Sequence, residues 1–122
     1  MAHRRMALAH QVLTGIVVVL VLVQAVLAGQ FLIGETTISL HGTIANASFA
    51  VGLLAAVLAL LARLPRWLVV LSLALLAALF VQVGLGYAGR TSLEAKSWHI
   101  PLGVTTFGLS IATLMGTLVR PR

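Results

Sequence analysis

Four uninterrupted apolar runs, at about residues 12–33, 39–64, 67–87 and 97–119, leave this chain few ways to fold. Each meets or exceeds the roughly 20 residues that carry a helix across a bilayer. In hydrocarbon the backbone must satisfy its own polar groups, so only helices or closed barrels cross it. The runs are continuous rather than alternating, which reads as helix. The connections, at residues 34–38, 63–66 and 88–96, are short. Short links turn consecutive helices antiparallel. The expected fold is all-α: an integral membrane, up-down-up-down four-helix bundle forming one domain over residues 1–122.

Composition agrees. The 122 residues are 61% hydrophobic and 8% charged, too little polar material to coat a soluble domain of this size. There is no cysteine, which excludes disulfides, thiolate metal sites and covalently attached c-type haem. The net charge of +6 does not point to nucleic acid, because the basic residues lie at the ends of the apolar runs, where lipid headgroups are the natural partner.

The start, "MAHRRMALAHQVLTGIVVVLVLVQAVLA", has the basic lead, apolar core and small residues near Ala28 of a signal peptide. Its apolar run is longer than such a core, so it reads as the first membrane helix. With four crossings, Arg4, Arg5, Arg63, Arg66, Arg120 and Arg122 fall on one side. Arg90, Lys96, Glu35 and Glu94 fall on the other. The positive-inside rule makes both termini cytoplasmic and the Glu35 and Glu94 loops external. Trp67, Tyr87 and Trp98 stand at segment ends as interfacial aromatics.

The chain also matches itself at an offset of 58 residues. Gln24 then meets Gln82, Ser39 meets Ser97, His41 meets His99 and Phe49 meets Phe107. Gln, His and Phe are rare here, so these matches carry more than the Val and Leu ones. Each unit is a helical hairpin, and two crossings return the chain to the same side. The halves are therefore parallel repeats about an axis along the membrane normal. The second and fourth helices are diagonal in such a bundle, so His41 and His99 are expected at one depth, facing each other. Ser39 and Ser97 read as helix N-caps, with Pro101 in the first turn, where its missing N–H costs nothing. Gln24 and Gln82 are expected on the order of 10 Å deeper than the histidines, bridging helices by hydrogen bonds.

A histidine inside a membrane span is a functional candidate. A lone histidine at a helix end is more often an interfacial hydrogen-bonder, and His3 and His10 take that reading. His41 and His99 differ because the repeat brings them together. Two neutral imidazoles suit the axial positions of a haem iron. Zinc wants three or four ligands, and no third His, Cys or carboxylate stands at that depth. Copper usually has cysteine or methionine as well, and a proton relay needs ionisable groups deeper in the bilayer. Glycines cluster at the histidine level, among them Gly42, Gly86 and Gly103, giving room for a flat ring or for close helix packing. Arg90 and Lys96 can neutralise haem propionates, or simply solvate the loop.

With His41 in "SLHGTIAN" and His99 in "SWHIPLG", the arrangement resembles one four-helix half of haem A synthase. It is similar too to small bacterial four-helix membrane proteins with "Q-x-x-L-A/G" and "L-H-x-x-x-G" patterns. That family has a glutamate three residues before a ligand histidine and an arginine directly after it. Here those neighbours are Ile38 and Gly42 for His41, and Lys96 and Ile100 for His99, and the outer cysteine pair is absent. The resemblance thus implies the haem-holding scaffold and not oxidation of a haem methyl. It also implies a bacterial cytoplasmic membrane.

The expected function is a small b-type cytochrome with one non-covalent haem b near the outer face, held by His41 and His99. It would carry electrons, or bear haem within a redox complex, rather than act as an enzyme with its own substrate. Expected partners are the lipid bilayer and a quinone or redox membrane protein, in a homo-oligomer or as a complex subunit. The rival readings are a cofactor-free accessory subunit and a pigment-binding membrane protein.

Overall fold

A computed structural model describes residues 1–119. It contains four helices: α1 (Ala2–Leu32), α2 (Ile38–Leu61), α3 (Arg66–Ala88) and α4 (Leu93–Leu118). All four are long and apolar enough to cross a membrane. Each of α1 and α3 packs against both α2 and α4, while the diagonal pairs α1/α3 and α2/α4 make no close backbone approach. The arrangement is a four-helix bundle with α2 and α4 across the diagonal.

The helix ends differ from the apolar runs. α1 begins ten residues earlier than its run, at "AHRRMALAH", and α4 begins at Leu93 rather than at Ser97. Ala, Arg, Met, Leu, Glu and Lys are good helix formers, and a helix leaving the hydrocarbon needs no further apolar residues to continue. α2 stops at Leu61, and Arg63 adopts a left-handed φ of 51° in the turn before Pro65. The caps move accordingly. Ser92, not Ser97, caps α4, its side chain accepting the N–H of Ala95, with Glu94 in the first turn of the positive helix end. Ser97 instead donates to the carbonyl of Glu94 within the helix. Thr37, not Ser39, is the N-cap residue of α2, and it makes no side-chain capping bond. Pro101 lies inside α4 and removes the N–H that would otherwise reach the carbonyl of Ser97.

The bundle is apolar outside and partly polar inside. Leu8, Val12, Val19, Leu54, Val70 and Phe80 are among the exposed large side chains. Buried inside are His10, Thr14, Ser48, Ser72, Thr106, Ser110 and Thr113. A layer of Val17, Leu75 and Leu79, with Phe49 and Leu109 packed on it, crosses the middle. Buried positions recur at the offset of 58: His10 and Leu68, Thr14 and Ser72, Val17 and Leu75, Ser48 and Thr106, Gly52 and Ser110, Ala55 and Thr113.

His10 departs from the interfacial reading. It is fully buried, and its ring Nε2 bonds Ser72 Oγ at 2.9 Å. Ser72 gives its own proton to the Leu68 carbonyl, so the imidazole is the donor in that pair. Because α1 starts at Ala2, His10 lies more than two turns inside the helix rather than at its end. His3, by contrast, is exposed and donates to the Leu61 carbonyl at 3.2 Å, setting the start of α1 beside the α2–α3 turn. Arg4, Arg5, Arg63 and Arg66 therefore share one end of the bundle. Arg120 and Arg122 lie outside the described residues.

Close packing at that end uses Gly116. A Cβ there would meet a ring carbon of Trp67 at 2.7 Å and Leu68 Cδ1 at 3.2 Å, whereas one on Gly29 would meet nothing within 4 Å. Gly116→Leu is expected to lower stability by about 1–3 kcal/mol through overpacking. Gly29→Ala should raise it by up to about 1 kcal/mol through helix propensity. Thermal unfolding in detergent, followed by circular dichroism, measures both. A neutral Gly116→Leu would show that the Trp67 contact is not part of the packed core.

Candidate functional site: a histidine pair across the bundle diagonal

His41 is the fourth residue of α2, and His99 is in the second turn of α4. Their rings meet across the diagonal, with centroids 6.1 Å apart and planes at 70°. Both side chains are half-buried.

Each histidine is held at its backbone by a glutamine from the preceding helix. Gln24 Nε2 donates to the His41 carbonyl at 2.8 Å. Gln82 Nε2 donates to the His99 carbonyl at 3.0 Å. A helical carbonyl already serves its own helix, so the amide uses the second lone pair. The amides of both glutamines thus reach the histidine backbone, and Gln82 stands at the level of His99 rather than deeper. Gln82 is six residues before the end of α3, and His99 six residues after the start of α4, so both lie about 9 Å from the helix ends. The early start of α4 makes this difference. On the other hairpin Gln24 is eight residues before the end of α1 and His41 three after the start of α2, about 12 and 5 Å from the helix ends, so Gln24 starts deeper and its amide reaches up to His41.

The His99 ring is also oriented. Its Nδ1–H donates to the carbonyl of Gln82 at 3.1 Å, which fixes the tautomer and leaves the lone pair on Nε2. Gln82 Nε2 lies 3.4 Å from that Nε2. Gly86 lets the ring in: a Cβ there would sit 3.1 Å from His99 Cε1. Gly103 does the same for the Gln82 amide, which would meet a Cβ at 3.0 Å. His41 Nδ1, Gln24 Oε1 and Gln82 Oε1 are buried with no hydrogen-bond partner. Unpaired buried groups of this kind are uncommon and costly, about 1–3 kcal/mol each.

Of the other sequence candidates, Gly42 and Arg90 come together, in a group separate from the histidine pair. Gly42 faces a different group, since a Cβ on it would lie 3.6 Å from Arg90 Nη2 and 4.0 Å from the Tyr87 hydroxyl. The Arg90 guanidinium stacks over the Tyr87 ring at 4.8 Å. Lys96 is exposed, and its backbone passes close to Gly89. Two features escape sequence reasoning. One is the bond from Asn46 Nδ2 to the Tyr87 hydroxyl at 2.9 Å, which joins α2 to α3. The other is the His10–Ser72 pair. No spacing rule links residues 41 or 62 apart on different helices, although Ser72 and Thr14 stand at the repeat offset.

Among the described residues no group of three or more His, Cys, Asp or Glu comes together as a metal site. The histidine pair can therefore offer an ion two protein ligands. Comparison with protein-family models, curated proteins and solved structures gives no match.

The ring contact at Gly86 is directly testable. Gly86→Ala should displace the His99 ring and weaken its bond to the Gln82 carbonyl, shifting the His99 ring-nitrogen signals in 15N NMR. Gly84→Ala, on the same helix with nothing within 4 Å, should leave them in place. Unchanged signals in both would remove Gly86 from the site.

Proposed function

We propose that the chain is a small membrane b-type cytochrome, holding one haem b by His41 and His99 for electron transfer or as part of a larger redox assembly. The observation that carries this reading is the ring separation of 6.1 Å between diagonal helices. Two imidazoles binding one metal at about 2.0–2.1 Å, each with its ring centre about 1.1 Å further on, would stand about 6.3 Å apart. Three further features support the fit. The Nδ1–H of His99 is on a backbone carbonyl, as a ligating histidine's second nitrogen usually is, which leaves Nε2 for the metal. The unpaired Nδ1 of His41 lies at the same level. Gly86 makes room for the His99 ring and Gly103 for the Gln82 amide, and the long contact between Gln82 Nε2 and His99 Nε2 is weak enough to be replaced.

Haem, held by His41 and His99, would supply reversible one-electron chemistry when bound. The chain's own contribution is to orient both imidazoles and to keep them in a half-buried setting that limits water. Lys96, exposed and three residues before His99 on the same helix, is the cation assigned to the propionates. The two hairpins are read as copies of one unit. The paired Gln24–His41 and Gln82–His99 bonds and the recurring buried positions support this. The bilayer is the bacterial cytoplasmic membrane in this reading, with the Arg4, Arg5, Arg63 and Arg66 end cytoplasmic. The electron partner is a quinone or another redox membrane protein.

A visible spectrum of detergent-purified protein, produced with ample haem, tests the central claim. A Soret band with sharp α and β bands on reduction is expected. His41→Ala and His99→Ala should each lose haem, and His3→Ala, exposed at the other end, should retain it. A colourless folded protein would favour a cofactor-free subunit, and far-red absorbance a pigment protein.

Orientation has its own test, since the chain has no cysteine of its own. In intact bacterial cells a membrane-impermeant maleimide is expected to label Glu35→Cys and to spare Arg63→Cys. The reverse pattern would invert the topology.

A further inference from the structure

At the end of the bundle away from the α2–α3 turn, a half-open cleft of about 310 Å³ lies between α2 and α3. Ser39, Gly42, Thr43 and Asn46 line it from α2, Tyr87 from α3 and Arg90 from the turn that follows α3. Its polar groups are mainly donors. The Arg90 guanidinium is braced on the Tyr87 ring. The Tyr87 hydroxyl accepts from Asn46 Nδ2, so its own proton is directed elsewhere. Ser39 adds a second hydroxyl.

The cleft also concentrates positive charge. Arg90 lies over Gly42, in the second turn of α2 from its N-terminal end, and the first turn of α2 has no side-chain cap. Free N–H groups there carry partial positive charge. Among the described residues no carboxylate pairs with Arg90. The exposed Arg90 guanidinium and the nearby helix end add their positive charge on the open side of the cleft, which favours an anion there. Arginine with hydroxyl donors suits a phosphate oxyanion.

We propose that this cleft binds the phosphate of a membrane phospholipid. The lipid source follows from what continues below it. Phe80, Gly84 and Tyr87, at spacings of four and three, share one face of α3. Gly84 has nothing within 4 Å of its Cβ position, and Phe80 is 66% exposed and packed on Phe49 with ring centroids 6.0 Å apart. The open apolar strip that they form on the helix surface is the channel assigned to an acyl chain, below the donor cluster. The headgroup then sits at the end of two spanning helices, where lipid headgroups lie. The cleft takes a phosphate whether or not the histidine pair holds a haem.

Native mass spectrometry of the full chain, delipidated in neutral detergent and titrated with phosphatidylglycerol, tests this. The wild type should retain one lipid, and Arg90→Gln should bind it about tenfold more weakly. Gly84→Trp, which fills the channel, should also weaken retention, with folding checked by circular dichroism. Arg66→Gln, at the opposite end, should match the wild type. Equal retention by wild type and Arg90→Gln overturns the proposal, as does equal loss in Arg66→Gln. Displacement by inorganic phosphate as effective as by a second phospholipid marks a free-anion site and overturns it as well. An undiminished Gly84→Trp overturns the lipid assignment too.

Discussion

A bundle whose four helices are all long and apolar enough to cross a membrane has to satisfy its polar groups from within, and most of this one is built to that constraint. The four helices pair their own backbone, and the side chains sort the opposite way from a soluble domain. Leucine and valine face outward, while seven polar side chains are buried inside. Most inner hydroxyls return their proton to a carbonyl one turn back on the same helix: Thr14 to His10, Ser48 to Ile44, Thr106 to Leu102 and Thr113 to Leu109. They are thereby satisfied without crossing the bundle. Small residues such as Ala55, Ala56 and Ala59 then let the helices approach closely.

Against that background, the few polar bonds between helices stand out as positional. Gln24 and Gln82 each tie their helix to a histidine carbonyl on the next, so each hairpin is pinned at one level. Pinning at that level brings two half-buried imidazoles together across the diagonal. The haem proposal depends on this placement more than on either residue's identity. A histidine two turns away would find no partner. His10, held in the other half of the bundle by Ser72, lies far along α1 from the pair. The Asn46–Tyr87 bond does for the α2–α3 seam what the glutamines do within the hairpins, and it fixes the hydroxyl beneath Arg90.

Much of the architecture was legible before any coordinates. Run length and short connections gave four antiparallel helices, and a diagonal pairing of α2 and α4 followed from their order. The matching of Gln24 with Gln82 and of His41 with His99 pointed to the one place where two histidines meet. The misses have a common origin. Hydropathy marks where a helix meets lipid, not where its hydrogen bonding begins, so α1 and α4 start earlier than their apolar runs. Depths counted from the run ends then misplaced Gln82, the caps and Pro101. His10 was read as interfacial for the same reason.

The amino-acid sequence by itself determined the class of fold, the number of helices and the pair of histidines, because these follow from the solvation cost of each segment along the chain. Tertiary structure decided which polar atoms meet. Gln82 reaches His99, Gly86 admits its ring, Ser72 receives His10 and Arg90 settles on Tyr87. Each of these depends on the rotation and level of one helix against another, which packing sets and which no spacing within a single helix encodes.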